Sequence, residues 1–241
     1  MLILLPPSEG KAAEGDGPPL DMTALSLPGL TAARERVLGA LEALCAGPEE
    51  EARRVLGLSP GQAADAIGRN HRLRTAPTLP AWRLYTGVLY DNLALPTLDP
   101  ERTARSVLIF SALWGALRPA DRVPPYRLSM GVKLPPLGPL AAVWRPVLTE
   151  TLPAGGLLVD MRSAPYAAAW KAPVVRVRVF REQDGRRTVV SHMAKATRGA
   201  LARALLANGA DPAGPEELLK TVLDLGYTAE LTGTDLDVIT G

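Results

Sequence analysis

Short apolar runs separated by longer amphipathic stretches dominate this chain. Residues 1–5, 107–112 and 156–161 are largely apolar, and each run leads directly into a polar or proline-containing segment. Continuous apolar runs of this length are typical of strands that are buried on both faces. The pattern therefore predicts three buried strands, each with a polar loop at its carboxyl end.

Helical spacing separates these runs. Residues 31–46 place Val37, Leu38, Leu41 and Leu44 on one face, which predicts an amphipathic helix. Residues 82–93 are predicted as a loop that enters a short helix. Further helices are predicted at residues 49–56, 62–69, 140–152, 193–208 and 215–225.

Strict alternation begins near residue 175. Val175, Val177 and Val179 alternate with Arg176 and Arg178, and a turn at residues 184–185 returns the chain through two more valines. This pattern predicts a β-hairpin with one apolar and one basic face. A second hairpin is predicted at the end of the chain. Because strands and helices interleave, we expect an α/β (α+β) fold, with residues 1–241 forming a single compact domain around a mixed β-sheet with flanking helices.

Length and composition indicate a chain with a substantial core and favour a reducing cellular compartment. The 241 residues are 47% hydrophobic, which is enough for a substantial core. Cys45 is the only cysteine, so no disulfide-linked partner is expected and a reducing compartment is favoured. The amino terminus lacks a basic leader, and no apolar run reaches about 18 residues, so we expect a cytoplasmic protein with no membrane partner.

Charge is close to balanced overall but uneven along the chain. The formal net charge is +2. Residues 171–206 contain nine Lys or Arg and two acids, whereas residues 207–241 contain seven acids and one Lys. The basic block predicts one electropositive surface suited to phosphate or nucleic acid, and the alternative is a set of solvated, unevenly charged faces.

Several common chemistries have no motif here. His71 and His192 are far apart and have no neighbouring Cys/His ligand pattern, so no metal site is predicted. The sequence has no GxxxxGK[ST] loop, no GxGxxG after a strand and no GxSxG elbow. We therefore expect no cofactor, and whether the protein is an enzyme stays open.

Residues 111–133 (SALWGALRPADRVPPYRLSMGVK) are the most distinctive segment. Three prolines stiffen it, and it carries Arg118, Arg127 and Lys133 together with Tyr126. A stiff arginine-bearing loop after a buried strand predicts an anion-binding rim in which the three cations contact phosphate and Tyr126 contacts a base or substrate. The alternative is a structural crossover whose arginines are solvated.

Two other predicted strands end in polar segments, PPSEGK at 6–11 and DMRSAPY at 160–166. Loops at the carboxyl ends of parallel strands line the ligand crevice of α/β sheets. Ser8 and Ser163 are therefore expected to contact a base or substrate, and Lys11 a phosphate. Surface ion pairs are the alternative reading. The candidates for acid/base catalysis are Glu9, Lys11, Asp160 and Tyr166.

Three further segments could join the same cleft. Lys195 and Arg198 are spaced i, i+3 on a predicted helix and could clamp phosphate, or could form a solvated basic face. Tyr85 and Thr86 offer hydroxyls for base or substrate contacts, although aromatic rings of this kind are more often core residues. The helices around GLSPG at 57–61 resemble a helix-hairpin-helix in outline.

At these residues the chain resembles the YaaA family of peroxide-stress proteins. The resemblance covers nearly the whole length, through MLILLPPSEGK, YTGVLY at 85–90, SALWGALRPADRVPPYRLSMG, DMRSAPY, SHMAKATRGALARAL and GY at 226–227. It implies a protein that binds DNA and helps cells survive hydrogen peroxide by limiting free intracellular iron. It also implies a compact α/β fold with a positively charged cleft and a helix-hairpin-helix element. It implies no established catalytic reaction.

Two main hypotheses follow. In the first, a cytoplasmic stress protein binds DNA largely independently of sequence, and Tyr85, Tyr126 and Tyr166 stack on bases. In the second, an enzyme acts on a nucleotide, nucleobase or other small phosphorylated anion in the same cleft. An iron scavenger is a third, less supported alternative. The cations expected to line the groove are Lys11, Arg118, Arg127, Lys133, Lys195 and Arg198.

Overall fold

The computed structural model describes residues 1–153 and 155–240. Its strands are β1 (Leu2–Leu5), β2 (Leu79–Pro80), β3 (Val107–Ser111), β4 (Gly115–Leu117), β5 (Arg122–Val123), β6 (Lys133–Leu134), β7 (Gly138–Pro139), β8 (Leu158–Asp160), β9 (Val175–Gln183), β10 (Arg186–Thr188), β11 (Thr228–Thr232) and β12 (Asp235–Thr240). Its helices are α1 (Thr31–Ala46), α2 (Glu49–Leu56), α3 (Pro60–Asn70), α4 (Ala81–Leu84), α5 (Val88–Leu93), α6 (Pro100–Ser106), α7 (Leu140–Thr151), α8 (Ala164–Ala167), α9 (Ser191–Asn208) and α10 (Pro215–Asp224).

One mixed sheet organises the fold. Its strand order is β11-β12-β9-β8-β1-β3-β4, and β10 pairs with β9. The strands from β12 to β3 run parallel, whereas β4, β10 and β11 are antiparallel to their neighbours. Strands β1, β3 and β8 are completely buried, which confirms the three predicted buried strands. The predicted α/β fold with a mixed sheet is likewise confirmed.

The predicted helices are present with small changes at their ends. Helices α1 and α2 have the predicted bounds. Helix α3 begins at Pro60, two residues before the predicted start, because Ser59 and Gln62 form a capping box there. Helix α9 also begins two residues early, at Ser191. Across residues 1–153 and 155–240, no helix is both long enough and apolar enough to cross a membrane.

The segment 111–133 is more ordered than the predicted loop. It contains β4, which turns back along β3, and β5, which pairs with β2. Gly115 has a φ of 73°, and a Cβ placed there would lie 2.6 Å from the ring of Trp144, so the turn requires glycine. Arg34 on α1 is buried and donates to the carbonyl oxygens of Trp114 and Ala116 at 3.0 and 2.9 Å.

The basic face of the first hairpin is neutralised. Because β9 and β12 pair in parallel, Arg176 lies beside Asp235, and Arg178 lies beside Asp237. Arg176 forms a bidentate pair with Asp235 at 2.9 Å in both bonds, and Arg178 is paired with Asp237 in the same way. The acidic end of the chain thus covers part of the basic block, which differs from the electropositive surface predicted over residues 171–206.

Candidate functional site

The carboxyl end of β1 leads through two prolines into a loop that ends at Lys11. This loop pairs with the segment between α4 and α5, since Lys11 forms a bridge with Tyr85 and the Ala12 N–H donates to the Leu84 carbonyl oxygen at 2.9 Å. The Thr86 N–H also donates to the Gly10 carbonyl oxygen at 3.2 Å. The loop is therefore held in a fixed position at the carboxyl edge of the central strands.

Lys11 is a half-buried cation that contacts aromatic rings. Its Nζ donates to the carbonyl oxygen of Ser8 at 3.0 Å and lies 4.6 Å from the ring centroid of Tyr126 and 5.7 Å from that of Tyr85. Burial, and to a smaller extent the positive charges of Arg127 and Arg69, lower the pKa of Lys11 from 10.5 to about 8, while Glu9 opposes the shift. The ammonium is therefore readily deprotonated for a lysine.

A chain of buried hydroxyls lies beneath Lys11. Ser111 Oγ accepts from the N–H groups of Leu113 and Trp114 at 3.2 and 3.0 Å and lies 2.8 Å from the Tyr126 hydroxyl. The Tyr126 hydroxyl in turn lies 3.0 Å from that of Tyr85. Burial raises the pKa of both tyrosines, and both are 2% exposed. Their rings are core groups on which Lys11 rests, rather than exposed platforms for bases.

Arg127 is positioned by α3. The Asn70 side chain at the end of α3 donates to the Arg127 carbonyl oxygen and accepts from the Arg127 N–H, both at 2.9 Å. The Arg127 guanidinium forms no ion pair within residues 1–153 and 155–240. Arg69, one residue before Asn70, pairs with Asp65 one helical turn earlier at 2.9 Å. Among the described residues, helix α3 therefore carries the paired guanidinium of Arg69 and, through Asn70, positions the unpaired guanidinium of Arg127 beside it.

These groups surround a cavity of about 190 Å³, which we call the lysine cavity. The first turn of α3 contributes Gly61 and Gln62 to its wall. Three cations and two carboxylates line it, which gives a net positive charge suited to an anion. The charged lining residues are Glu9, Lys11, Asp65, Arg69 and Arg127. A second cavity of about 310 Å³ shares Arg69 with it and is lined mainly by Arg72, Glu14 and the segment 75–77.

Tyr166 lies near this charged group. Burial raises the pKa of Tyr166 to about 12, and hydrogen bonds with the Met130 backbone and the Ser129 side chain oppose that shift. Glu9 and Arg127 also act on Tyr166. Because its hydroxyl stays protonated at neutral pH, Tyr166 is able to donate a proton or a hydrogen bond to a bound anion.

Asp160, predicted as a catalytic candidate, is part of a buried ion pair. Its Oδ1 and Oδ2 accept from Nε and Nη2 of Arg162, both at 2.8 Å, and Oδ1 also accepts from the Arg162 N–H. Arg162 donates further to the carbonyl oxygens of Tyr166 and Trp170 and lies 4.3 Å from the ring centroid of Phe110. The pair connects β8 to α8 and the residues that follow it. Asp160 therefore holds chain segments together and does not face the lysine cavity as a free carboxylate.

Four predicted phosphate ligands lie outside the lysine cavity. Arg118 donates to the carbonyl oxygens of Arg105 and Val107, which places it at the amino end of β3, whereas the cavity is at the carboxyl edge. Arg198 is half-buried and donates to a carbonyl oxygen of β9. Lys133 and Lys195 are exposed and do not line either cavity.

The remaining predicted contacts are polar groups around the same edge of the sheet. Ser8 is half-buried, and its hydroxyl donates to the Gly10 carbonyl oxygen. Thr86 is exposed and lies beside Gly10. Ser163 is exposed and precedes the short helix α8 without capping it through its side chain. The structure thus brings Ser8, Glu9, Lys11, Tyr85, Tyr126, Arg127 and Tyr166 together, with Thr86 beside the same loop. The other candidates do not line the lysine cavity, namely Arg118, Lys133, Asp160, Ser163, Lys195 and Arg198.

Three contributors were not predicted as site residues. Arg69 and Asp65 line the cavity from α3, and Asn70 fixes the backbone of Arg127. The i, i+4 spacing of Asp65 and Arg69 on a predicted helix was available as a signal, whereas the contact of Asn70 with Arg127 joins residues 57 positions apart. In the part of the chain that the structure describes, no three His, Cys, Asp or Glu side chains group as they would around a metal ion.

Comparison with known proteins identifies the family. A family model described as "Peroxide stress protein YaaA" matches residues 1–231. A UPF0246 protein of Streptomyces coelicolor is 57% identical over 95% of this chain and 92% of its own length. UPF0246 proteins of Corynebacterium efficiens and Cereibacter sphaeroides are 42% and 32% identical, and the alignments cover 96% and 90% of this chain and 95% and 90% of theirs. The chain therefore belongs to the family of peroxide stress protein YaaA.

Proposed function

We propose that the protein binds DNA through its backbone phosphates at the lysine cavity as part of the peroxide-stress response. Arg127 contacts phosphate oxygens, and Lys11 and the Asp65-paired Arg69 supply further positive charge beside it. Contacts to phosphates carry no sequence information, so binding is largely independent of sequence. The proposal includes protection of the bound DNA and limitation of free intracellular iron. The iron component is tested by measuring free iron in cells that lack the protein.

The observation that carries this proposal is that, among the residues the structure describes, Lys11 and Arg127 are not paired with carboxylates, whereas three arginines of the β9–β10 hairpin are. Arg176, Arg178 and Arg187 are each held by carboxylates, and these pairs reduce their attraction for an external anion. Lys11 instead donates to a backbone carbonyl oxygen, and Arg127 is held by its backbone while its guanidinium remains available. Positive charge is thus available to a ligand at this cavity.

The helix pair beside the cavity supports the same proposal. Helices α2 and α3 are joined by residues 57–59, and Gly57 adopts a φ of 65° at the end of α2. The first turn of α3 faces the lysine cavity through Gly61 and Gln62. The amino end of a helix carries partial positive charge, which favours phosphate. In this proposal α2 and α3 act as the helix-hairpin-helix element suggested by the sequence.

A salt series tests the DNA contact. Replacing Arg127 by Gln should weaken binding to duplex DNA uniformly across sequences and reduce the slope of log K against log salt by about 1. Arg178→Gln is the matched control, because its guanidinium is already paired with Asp237. An unchanged slope for a folded Arg127→Gln protein would reject the assignment. Duplex, single-stranded and branched DNA should be compared in the same series.

A second candidate is an enzyme that acts on a nucleotide or other small phosphorylated anion. Two observations favour it, namely the lowered pKa of Lys11 near Glu9 and Tyr166, and the two cavities of about 190 and 310 Å³ that share Arg69. Their volumes together fall in the ~300–1,000 Å³ range of small-molecule sites. Thermal-shift measurements with nucleotides and with DNA oligomers separate the two candidates, because stabilisation by nucleotides alone would favour the enzyme.

A further inference from the structure

We propose that Lys11 is the nucleophile of a carbonyl-binding site and forms a reversible imine with a phosphorylated sugar aldehyde. The ring-opened deoxyribose at an abasic position in DNA and a free sugar phosphate share this chemistry. The inference rests on the proposed binding of phosphate at the lysine cavity and adds a covalent step to it.

The position of the amine is the first support. Lys11 lines the cavity, and its Nζ is held by one hydrogen bond to the Ser8 carbonyl oxygen at 3.0 Å. The rings of Tyr126 and Tyr85 lie against the ammonium at 4.6 and 5.7 Å. A backbone carbonyl and two rings restrict where the amine lies. Because none of them is a carboxylate, they do not fix the proton on nitrogen as an ion pair would.

The surrounding charges are the second support. Desolvation and the neighbouring guanidinium groups of Arg127 and Arg69 lower the pKa of Lys11 to about 8. At pH 7 this makes the neutral, nucleophilic amine roughly 300-fold more abundant than in a lysine of pKa 10.5. A desolvated lysine next to other cations is a known way to activate an amine for attack on carbonyl compounds. The Arg127 guanidinium can hold a phosphate of the same sugar.

Lys11 differs from the other lysines of the chain. Lys133, Lys171, Lys195 and Lys220 are exposed, whereas Lys11 is half-buried and lines a cavity. The difference gives the experiment internal controls, since exposed amines report on non-specific reaction with any aldehyde. The four exposed lysines should show only the low, evenly spread labelling of non-specific reaction.

The step is balanced without an oxidant or a reductant. The lone pair of the neutral Lys11 amine attacks the aldehyde carbon and forms the C–N bond, and the carbonyl π electrons move to oxygen, which takes up a proton. The nitrogen then loses a proton. Protonation of the resulting hydroxyl group expels water, and the nitrogen lone pair forms the C=N bond. Glu9, on the wall of the same cavity, is placed to transfer these protons, and addition of water reverses the sequence.

Reductive trapping tests the proposal on the full-length protein. The protein is incubated with cyanoborohydride and a duplex containing one abasic site, a matched duplex whose abasic analogue lacks the aldehyde, or deoxyribose 5-phosphate. We expect a covalent adduct with one or both aldehyde probes, none with the analogue, and the modified peptide to contain Lys11. Reaction with only the abasic duplex would identify DNA as the source, and reaction with only deoxyribose 5-phosphate would identify a free sugar phosphate.

Matched variants give the contrast. Lys11→Arg keeps a positive charge but has no nucleophilic amine, so it should reduce the adduct at least tenfold, whereas Lys220→Arg should leave the yield unchanged. Thermal unfolding of each variant checks that it is folded. No adduct with either aldehyde probe, or an adduct spread evenly over the exposed lysines, would overturn the proposal.

The same samples separate this inference from the proposed function. Binding to the duplex lacking the aldehyde, measured without cyanoborohydride, reports DNA affinity alone. If the protein binds DNA and Lys11 is not trapped, only the carbonyl site is rejected. If Lys11 is trapped by deoxyribose 5-phosphate and no DNA binds, the carbonyl site stands and DNA binding is rejected.

Discussion

The cations that follow two neighbouring strands differ in how they are compensated: among the described residues, Arg162 after β8 is paired with a carboxylate, whereas Lys11 after β1 is not. Strands β1 and β8 run parallel with Leu4 beside Asp160, and each is followed within a few residues by a positively charged side chain. After β8, Arg162 is neutralised by a bidentate carboxylate and donates to two carbonyl oxygens. After β1, Lys11 donates to one carbonyl oxygen and rests on tyrosine rings.

The difference separates structural charge from functional charge. A buried charge that is paired and hydrogen-bonded holds chain segments together, and breaking the pair leaves an uncompensated charge. A buried cation without such a carboxylate raises the free energy of the folded state. Such strain is commonly found at binding and catalytic sites, where the missing partner is the ligand. On this reasoning the end of β8 stabilises the fold and the end of β1 provides the site.

Breaking the β8 pair should give the largest effect. Replacing Asp160 by Asn leaves Arg162 buried beside a neutral amide, and we expect a loss of about 3–5 kcal/mol in the free energy of unfolding. Urea denaturation measures it. Arg176→Gln is the matched control, because its side chain is 60% exposed and its pair with Asp235 should contribute only about 0–1 kcal/mol.

The Asp160→Asn result tests whether the end of β8 is structural and the end of β1 functional. If Asp160→Asn unfolds at nearly the wild-type urea concentration but no longer binds DNA or nucleotides, the end of β8 belongs to the functional site, and the distinction between the two strand ends fails.

Replacing Lys11 by Met should have the opposite sign. Met keeps the apolar contact with the tyrosine rings and removes the desolvated ammonium, so we expect stability to increase by up to about 3 kcal/mol at pH 7. Thermal and urea unfolding measure this gain. A loss of stability would mean that Lys11 holds the fold together as Arg162 does.

The same variant gives a pH test with a defined sign. Because the pKa of Lys11 is about 8 in the folded protein and 10.5 without burial, the unfolded chain binds more protons between these values. The contribution of Lys11 to the free energy of unfolding should therefore rise with pH above about 8. Cys45 and the buried tyrosines, whose pKa values are raised by burial, act in the opposite direction in both proteins. The measurement is therefore the difference between wild type and Lys11→Met from pH 7 to 9.5, and wild type should gain relative to the variant above about pH 8.

The sequence predicted the elements far better than the pairing of charges. Apolar runs located β1, β3 and β8, and helical spacing located α1 and α2, because local periodicity reflects which face is buried. Lys11 and Asp160 were both predicted at strand ends. Only the fold reveals that Arg162 neutralises Asp160 and that Lys11 faces a cavity.

Long-range register explains the rest of what was missed. Arg176 and Asp235 are 59 positions apart, and their contact depends on β9 pairing with β12 in one register. A one-residue slip would place these side chains on opposite faces. Asn70 reaches Arg127 across 57 positions for the same kind of reason. Composition predicted the charge of the 171–206 block correctly, but its neutralisation required the topology.

A smaller effect is expected at the hydroxyl chain. Tyr126→Phe keeps the ring beneath Lys11 but removes the hydrogen bonds with Ser111 and Tyr85. We expect a loss of about 1–3 kcal/mol, because buried hydroxyl groups lose their partner. Urea denaturation measures the loss, and DNA affinity should change little because the cation–ring contact remains. A large loss of affinity with unchanged stability would instead make the Tyr126 hydroxyl a ligand contact.

The smallest predicted effect concerns Glu9. It is the carboxylate that acts on Lys11, but it neutralises Lys11 less completely than Asp160 neutralises Arg162. Glu9 is exposed and lines the lysine cavity. Its charge raises the pKa of Lys11, but by less than burial and the neighbouring arginines lower it. Glu9→Gln should lower that pKa further and, by removing a negative charge, tighten DNA binding by up to about fivefold, since exposed pairs contribute about 0.2–1 kcal/mol. Glu14→Gln, at the other cavity, is the matched control. The gain should vanish in high salt, where exposed charges are screened, and a gain that survives high salt would mean that Glu9 blocks the cavity sterically.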